Sequence, residues 1–283
     1  MLGKYGKREK KNDLDKFYTK EHVSKRLIEA TSLHYAFDQF DYILEPSAGA
    51  GSFLLQLPKD KRIGLDLEPD HSEIIKIDYL EWKPEVDKKY LVIGNPPFGR
   101  VSSLAVKFFE KSAEFADVIA FLIPRTFRRV SVQNKLNLNF HLVYDEEIPV
   151  KPCSFEPVMS AKCCFQIWER RSEKRNRVAL PKETKEWQFL SLGPLDSNNQ
   201  PTVPKGASFA LKAYGSNCGE IVTENLEDLR PKSWHWIKCK NPEKLIDKLS
   251  KLDYGISKDT ARQDSLGRSE LIFLYNKTYG EEQ

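Results

Sequence analysis

Short apolar runs alternate with helix-like segments between residues 42 and 168, and this alternation constrains the fold more than any other feature of the sequence. The runs typical of strands cover residues 42–44, 62–67, 74–77, 90–94, 118–123, 141–144 and 161–168. Segments 51–57, 104–115 and 132–139 are typical of helices that connect parallel strands. Because the last two strands are joined without a helix, we expect them to pair antiparallel at one edge. The alternation predicts an α/β fold with a doubly wound sheet of seven strands, the last of them antiparallel.

The alternation stops after residue 170, where the stretch RRSEKRNR is too highly charged for a core and is typical of a linker. Beyond it, the predicted strands are 207–213, 220–223, 234–239 and 271–275, and the predicted helix is 242–252. We therefore expect three regions in the chain. They are a basic flexible tail at 1–13, an α/β domain at 14–170, and the linker with a smaller C-terminal α+β domain at 171–283.

The composition of the chain fits a globular protein with a modest positive charge. Hydrophobic residues make up 40% of the 283 residues, charged residues make up 30%, and the formal net charge is +4. The longest apolar runs, such as 118–123, are far shorter than the ~20 residues of a membrane span. The five cysteines form no CxxC pair, which favours a reducing, cytoplasmic location, and the five histidines are too scattered to predict a metal site.

The stretch ILEPSAGAGSF at residues 43–53 places Gly49 and Gly51 between the first strand and the following helix. Glycines at that position let a ligand approach the backbone closely, although a tight strand-to-helix turn would need them as well. Asp66 and Asp78 end the second and third strands, where carboxylates can accept hydrogen bonds from ribose hydroxyls and from an adenine amino group. The chain has neither GxGxxG nor GxxxxGK[ST], so the predicted ligand is a nucleoside without phosphates.

Five elements follow one another in order: FYT at 17–19, EPSAGAGSF at 45–53, Asp66, Asp78 and NPPF at 95–98. This order resembles the S-adenosylmethionine-dependent methyltransferases that modify exocyclic amino groups, and specifically the DNA adenine-N6 methyltransferases with a C-terminal target-recognition region. The resemblance covers about residues 14–170. It implies a Rossmann-like methyltransferase sheet, S-adenosyl-L-methionine as the cofactor, DNA as the partner, and a nucleic-acid-binding role for residues 171–283.

The same resemblance implies which residues contact the cofactor. They are Phe17, Tyr18, Thr19, Glu45, Pro46, Ser47, Ala48, Gly49, Gly51, Asp66, Leu67, Asp78, Tyr79 and Asn95. One position departs from the family pattern, since this chain has Lys20 where the family usually has a proline.

The motif NPPF at 95–98 ends a buried strand, because neither proline can donate to a sheet ladder. An exocyclic amine is a poor nucleophile, since its lone pair is delocalised into the ring. The side-chain carbonyl of Asn95 and the backbone carbonyl of Pro96 can accept its two hydrogen atoms, while Pro97 keeps the turn rigid. Phe98 offers a face on which a base can stack for direct in-line transfer. The alternative is a simple strand terminator with Phe98 in the core.

Several further residues are candidates for substrate contacts. Phe155, in KPCSFEP, lies where the family often has a second aromatic ring against the extruded base, although simple packing of the loop explains it equally well. The candidate phosphate contacts, each of which a solvated surface explains as well, are Arg128, Arg129, Arg170, Arg171, Lys174, Arg175 and Arg177. Trp234 and Trp236 favour a core position over base stacking. The loop 260–270, TARQDSLGRSE, suits base reading or an ordinary surface.

Two alternatives accompany the DNA adenine-N6 hypothesis. NPPF-type motifs also occur in enzymes that methylate adenine-N6 or guanine-N2 of RNA, and NPPY relatives methylate a glutamine amide in protein, because all these targets share a planar NH₂ group. The basic linker and the C-terminal domain favour a large polyanion over a protein loop. The other alternative, a non-catalytic nucleic-acid-binding subunit, predicts an altered glycine turn or a replaced Asn95, and the sequence shows neither.

Overall fold

The fold is that of a computed structural model, which describes residues 17–280. In chain order, the β-strands are β1 (Tyr18–Thr19), β2 (Tyr42–Glu45), β3 (Arg62–Asp66), β4 (Ile74–Lys76), β5 (Tyr90–Gly94), β6 (Val118–Pro124), β7 (Phe140–Ile148), β8 (Phe155–Glu156), β9 (Cys163–Arg170), β10 (Gln188–Phe189), β11 (Phe209–Lys212), β12 (Ile221–Val222) and β13 (Trp234–Lys238). The α-helices are α1 (Glu21–His34), α2 (Ser103–Ser112), α3 (Val130–Gln133), α4 (Pro242–Ser250) and α5 (Arg268–Tyr279). The tail predicted at 1–13 lies outside the described residues.

Seven strands form one mixed sheet in the order β4-β3-β2-β5-β6-β9-β7. β2 pairs parallel with β3 and β5, β3 pairs parallel with β4, and β5 pairs parallel with β6. Every residue of β5 and β6 is buried, as expected for central strands of a parallel sheet that is covered on both faces. β9 is inserted antiparallel between β6 and β7. This arrangement confirms the predicted Rossmann-like α/β sheet with an antiparallel last strand, accompanied by a smaller sheet domain.

The strand order reverses at β2, which has β3 on one side and β5 on the other. In the register of this pair, Leu44 of β2 lies opposite Val92 of β5. Because the two strands are parallel, the loops that begin at Pro46 and at Asn95 leave the same edge of the sheet. That edge, at a reversal of strand order, is where ligands bind in open α/β sheets.

Two predicted helices are shorter in the structure. Residues 51–57 form turns and a 3₁₀-helix at Leu54–Gln56, because Gly51 has a φ of +83°, which a right-handed helix does not allow. The helix predicted at 132–139 is α3, which ends at Gln133. The carbonyls of Gln133 and Leu136 accept hydrogen bonds from the guanidinium of Arg175 at 2.5 and 3.0 Å.

The C-terminal part contains a four-stranded sheet in the order β10-β13-β11-β12, and its strand pairs are antiparallel. Its main core joins Phe209 and Ile237 of the sheet with Leu245 and Leu249 of α4. Trp234 and Trp236 are buried in a second cluster with Ala210. Both tryptophans therefore have the core position that the sequence favoured.

The strand predicted at 271–275 is wrong, because these residues form the middle of α5. Leu271, Ile272 and Tyr275 are buried on one side of that helix, at spacings of one and four residues. The helix begins with a capping interaction in which the Gly267 N–H donates to Oε2 of Glu270 at 2.7 Å. A run of five apolar residues fits a buried helix as well as a strand, and the cap decides in favour of the helix.

The chain divides into two compact units. The first unit contains the described residues up to Leu122, together with Pro149–Met159 and Phe165–Trp168. The second unit contains Ile123–Ile148, Ser160–Cys164 and the residues from Glu169 onward. The boundary predicted at residue 170 stays a prediction. In the described part of the chain, no helix has the length and apolar character that crossing a membrane requires.

Candidate functional site

The NPPF motif follows the last residue of β5 in the first unit, as the sequence predicted. Pro96 is buried, whereas Pro97 and Phe98 are half-buried. The Phe98 carbonyl accepts from the backbone N–H groups of Leu104 and Ala105 at 3.3 and 3.4 Å, which ties the end of the motif to the first turn of α2. The motif is therefore held between a buried strand and a helix.

The side-chain amide of Asn95 has a defined orientation. Its Nδ2 donates to the Phe17 carbonyl at 3.1 Å. A carbonyl only accepts, so the nitrogen must face Phe17 and the oxygen must face the other way. That oxygen, Oδ1, is buried and has no hydrogen-bond partner among residues 17–280. Leaving such a buried acceptor unsatisfied costs about 1–3 kcal/mol.

A second unsatisfied polar atom lies in β1. Thr19 is 4% exposed, and its Oγ1 has no partner within the described part of the chain. β1 is held by antiparallel pairing with β8, in which Thr19 lies opposite Phe155, and by the Lys20 N–H, which donates to the Ser154 carbonyl at 3.0 Å. The same short strand thus anchors the Asn95 amide, through the preceding Phe17, and presents a second polar atom without a partner.

Phe155 does not present a face to a ligand in this structure. Its side chain is 2% exposed, and its backbone is paired with Thr19. The ring therefore packs inside the first unit in this structure.

The glycine turn after β2 is joined to the loop after β3. Gly49 has a φ of +52°, and its N–H donates to Oδ2 of Asp66 at 2.8 Å. The Asp70 N–H donates to the Gly49 carbonyl at 2.9 Å. The Tyr18 ring lies directly against this turn, because a Cβ added at Gly49 would be 2.7 Å from Tyr18 Cε1. Glycine is therefore required here for its backbone angle and for the closeness of the ring.

Tyr18 is also fastened at its hydroxyl group, which donates to Oδ2 of Asp70 at 2.5 Å. Asp70 is exposed and was not among the residues that the sequence predicted for the site. No sequence pattern identifies it, because its partner Tyr18 is 52 positions away.

Glu45 stabilises the backbone that follows the glycine turn. Its side chain is buried, and Oε2 accepts from the Leu54 N–H at 2.7 Å. Burial raises the pKa of Glu45 well above its usual range, while the backbone N–H groups of Leu54 and Phe53 oppose the shift. In the turn itself, Pro46 and Ala48 are buried and Ser47 is half-buried. In this structure the carboxyl group of Glu45 therefore contacts the loop backbone.

The two acids that end strands differ in their contacts. Asp66 accepts from two backbone groups, with Oδ2 bound to Gly49 and Oδ1 bound to the Glu68 N–H at 2.8 Å. Each carboxylate oxygen can accept a further hydrogen bond. Asp78 Oδ1 accepts from the Leu80 N–H at 2.9 Å.

The neighbours of these acids differ in exposure. Leu67 is 50% exposed. Tyr79 is 2% exposed, and its hydroxyl is 2.7 Å from the Ser112 hydroxyl. Burial raises the pKa of Tyr79, so this side chain is a neutral part of the core.

Arg128 and Arg129, predicted as substrate contacts, are ion-paired within the second unit. Arg128 pairs with Asp145 through two nitrogens and lies 3.6 Å from Asp259. Arg129 donates to the Ser265 carbonyl and lies 3.6 Å from the carboxylate of Glu270. Both side chains are at most 20% exposed. We therefore assign them to the structure of this unit.

Three of the five linker cations also have partners within the protein. Arg170 lies over the Phe140 ring at 4.8 Å, Arg171 pairs with Glu169 at 2.9 Å, and Arg175 donates to the Phe140 carbonyl at 2.9 Å. Lys174 and Arg177 are exposed.

No protein-family model matches the chain, and no curated protein matches it significantly. Solved structures with a similar fold include the 23S rRNA methyltransferase ErmE, at 16% identity and a TM-score of 0.41, over 56% of this chain and 71% of that one. A putative RNA methyltransferase from Pyrococcus horikoshii has 18% identity and a TM-score of 0.41, over 58% and 91%. A putative class I S-adenosylmethionine-dependent methyltransferase from Listeria monocytogenes has 16% identity and a TM-score of 0.42, over 58% and 63%. These likenesses describe the fold and go no further.

Proposed function

We propose that the chain transfers a methyl group from S-adenosyl-L-methionine to the exocyclic N6 amine of adenine in DNA, by direct in-line transfer. The observation that carries this proposal is the orientation of Asn95. Its nitrogen is bound to Phe17, while its buried oxygen has no donor among the described residues. A planar NH₂ group supplies the donor that this oxygen lacks.

Asn95 and Pro96 would prepare the acceptor amine for attack. Oδ1 of Asn95 and the carbonyl of Pro96 each accept one of its two N–H groups, which draws the nitrogen toward tetrahedral geometry and frees its lone pair. Because β5, the prolines and Phe17 hold these acceptors, they need no rearrangement as charge develops on the nitrogen. Phe98, which is half-buried, stacks on the base and directs the amine.

The first unit has groups that suit the cofactor. Gly49, at a positive φ, leaves the turn backbone open to close approach, and Asp66 keeps acceptor capacity for ribose hydroxyls. The unsatisfied hydroxyl of Thr19 offers a hydrogen bond to the methionine portion. When bound, S-adenosylmethionine supplies an electrophilic methyl group on a sulfonium. The nitrogen–carbon bond forms as the sulfur–carbon bond breaks, and the amine then loses one proton to solvent.

DNA is proposed as the acceptor because the order of the motifs resembles the DNA adenine-N6 enzymes and because a further α+β module follows the catalytic segment. Such a module would supply the contacts to the polyanion. A base in duplex DNA must leave the stack to reach such a site, at a cost of a few kcal/mol.

The test is an acceptor survey with labelled cofactor. The full-length protein is incubated with S-adenosylmethionine labelled in the methyl group and with duplex DNA, single-stranded DNA, RNA or protein, and the modified nucleoside is identified by mass spectrometry. We expect label in DNA as N6-methyladenine. Label that appears only in RNA or in protein would overturn the DNA assignment, and label on a ring nitrogen or carbon would overturn the amine chemistry.

A further inference from the structure

Hydrogen bonds and an ion pair hold a loop of the second unit, residues 260–266, along most of its length. On its first side, the Lys162 N–H donates to the Ala261 carbonyl at 2.9 Å. The ammonium group of Lys162 pairs with Asp264 and lies 3.5 Å from the Thr260 hydroxyl. The Asp264 carbonyl accepts from the Gly215 N–H at 2.9 Å. We call residues 260–266 the anchored loop.

The second side of the anchored loop is fastened by buried groups. The Leu266 N–H donates to the Ala213 carbonyl at 2.8 Å. Burial lowers the pKa of His235 to about 4, so the neutral ring donates from Nε2 to the Leu266 carbonyl at 2.8 Å. The Ser265 carbonyl accepts from Arg129. These contacts hold the backbone of the loop on both sides and oppose the conformational entropy that a free loop would have.

Three carboxylates around the anchored loop face cations of the second unit. Before the loop, Asp259 faces Arg128. Within the loop, Asp264 pairs with Lys162, and after it Glu270 faces Arg129. Beyond the loop, Arg268 lies over the Phe189 ring at 5.1 Å and donates to the Leu190 carbonyl at 3.2 Å. Arg262 has no ion pair or hydrogen bond among the residues that the structure describes.

The tip of the anchored loop consists of Arg262 and Gln263, and both are exposed. Neither contributes to the contacts that hold the loop, so their donors and acceptors all remain available. These two residue types match base edges in the major groove: Arg binds O6 and N7 of guanine, and Gln binds N6 and N7 of adenine. Tyr214, 49% exposed and bridged to Ser265, adds an exposed aromatic ring at the base of the loop.

We propose that Arg262 and Gln263 read base pairs in the major groove of duplex DNA and determine the sequence around the methylated adenine. This inference rests on the proposed function for its substrate class. The anchored loop supplies the rigidity that base reading requires, because a fixed tip allows only the base pairs that match its donors. The deep, narrow major groove of duplex RNA does not admit such side chains.

The test measures binding preference and does not require methyl transfer. Full-length wild-type protein, Arg262→Ala and Gln263→Ala are each mixed with a library of duplex DNA randomised over about 12 base pairs, and the bound fraction is sequenced. Each base contact is worth about tenfold or more in discrimination, so each variant is expected to lose that preference at its own base pair and to keep the others. Thermal melting verifies that both variants are folded.

Arg230→Ala is the matched control, since Arg230 is an exposed arginine of the same unit outside the anchored loop, and it should keep the wild-type preference. Unchanged preference in both tip variants would overturn the proposal. So would a uniform loss of affinity for all sequences with a salt dependence reduced by about one ion, which indicates a phosphate contact. Preferential binding of an RNA library would overturn the duplex partner. Failure of the labelled-methyl survey bears on the proposed function alone, because DNA binding is scored separately.

Discussion

The end of β5 in the first unit and the ion pairs around Arg128 in the second unit differ in whether their polar side chains have partners within the protein. Around Arg128, carboxylates meet cations: Arg125 pairs with Glu147 at 2.7 Å, and Arg128 pairs with Asp145. At the end of β5, Asn95 Oδ1 and Thr19 Oγ1 are buried and have no partner within residues 17–280. Polar groups that are satisfied inside the protein hold the fold together. Buried atoms without a partner among residues 17–280 also occur in the second unit, at Arg129 Nε and Trp187 Nε1, so the proposed ligand role of Asn95 Oδ1 rests on its place at the end of β5 as well.

Arg128 and Arg262 look alike in the sequence but have different surroundings in the structure. Arg128 is 20% exposed and has three carboxylates within 4 Å, which makes it a structural residue of the second unit. Arg262 is exposed on an anchored loop, which makes it available to a partner. Only the contacts distinguish the two.

The largest expected effect tests whether the second unit needs its C-terminal part to fold. A chain that ends at Arg177 loses Asp264 and Glu270, the carboxylates that face Lys162 and Arg129, whereas Arg128 loses Asp259 and keeps Asp145. Partly buried cations without partners destabilise the fold strongly, so we expect no cooperative melting transition by circular dichroism. If the shortened chain melts within a few degrees of the full chain, residues 123–148 do not depend on the C-terminal part.

The next effect tests the ion pairs themselves. Asp145→Ala leaves the guanidinium of Arg128 without its two-point partner, and both side chains are less than a quarter exposed. We expect a loss of about 3 kcal/mol in the free energy of unfolding, measured by urea titration. Lys251→Ala is the control, because its pair with Asp247 is more than 60% exposed on both sides and should change stability by less than about 0.5 kcal/mol. Equal losses of stability in the two variants would show that the partly buried pair contributes no more than the exposed one.

A smaller effect is expected at the glycine turn. Gly49→Ala forces an alanine to a φ of +52° and places its Cβ 2.7 Å from the Tyr18 ring. We expect about 1–2 kcal/mol of strain and roughly tenfold weaker binding of S-adenosylmethionine by calorimetry. Gly206→Ala is the control, because it also places an alanine at a positive φ, +81°, but has nothing within 4 Å of the added Cβ. Its cofactor affinity should equal that of the wild type, and a loss as large as that of Gly49→Ala would make the effect one of global stability.

The smallest effect concerns the hydrogen bond from Tyr18 of β1 to Asp70. Tyr18→Phe keeps the ring against Gly49 and removes the hydrogen bond to Asp70, which is solvent-exposed. We expect the KM for S-adenosylmethionine to rise about twofold to fivefold with kcat nearly unchanged, because one exposed hydrogen bond contributes little. An effect on kcat with no effect on KM would place Tyr18 in the chemical step instead.

The sequence predicted the features that depend on local patterns. The apolar run at Tyr90–Gly94 and the prolines after it located the end of a central strand, since buried parallel strands have continuous apolar sequences. The glycines at 49 and 51 predicted a tight turn after the first strand, and both have positive φ angles in the structure. The strand predicted at 271–275 was wrong because a short apolar run does not distinguish a buried helix from a strand.

Pairing across long sequence distances could not be predicted. The Arg129 side chain meets Ser265, 136 positions away, and Tyr18 meets Asp70, 52 positions away. Neither partner carries a local pattern, so Arg129 was indistinguishable from a phosphate-binding arginine. The anchored loop likewise depends on contacts from Lys162 and His235, which are distant in the sequence.

The most direct measurement of the central claim is the single-turnover rate of methyl transfer to adenine-containing duplex DNA by Asn95→Ala at saturating S-adenosylmethionine. The buried Oδ1 is proposed to act on the amine alone, so the rate should fall by about 100-fold or more while cofactor affinity and melting temperature stay at wild-type values. A rate within a few-fold of the wild type would contradict the proposed role of this oxygen. Loss of cofactor binding and stability together with the rate would make Asn95 a support of the fold.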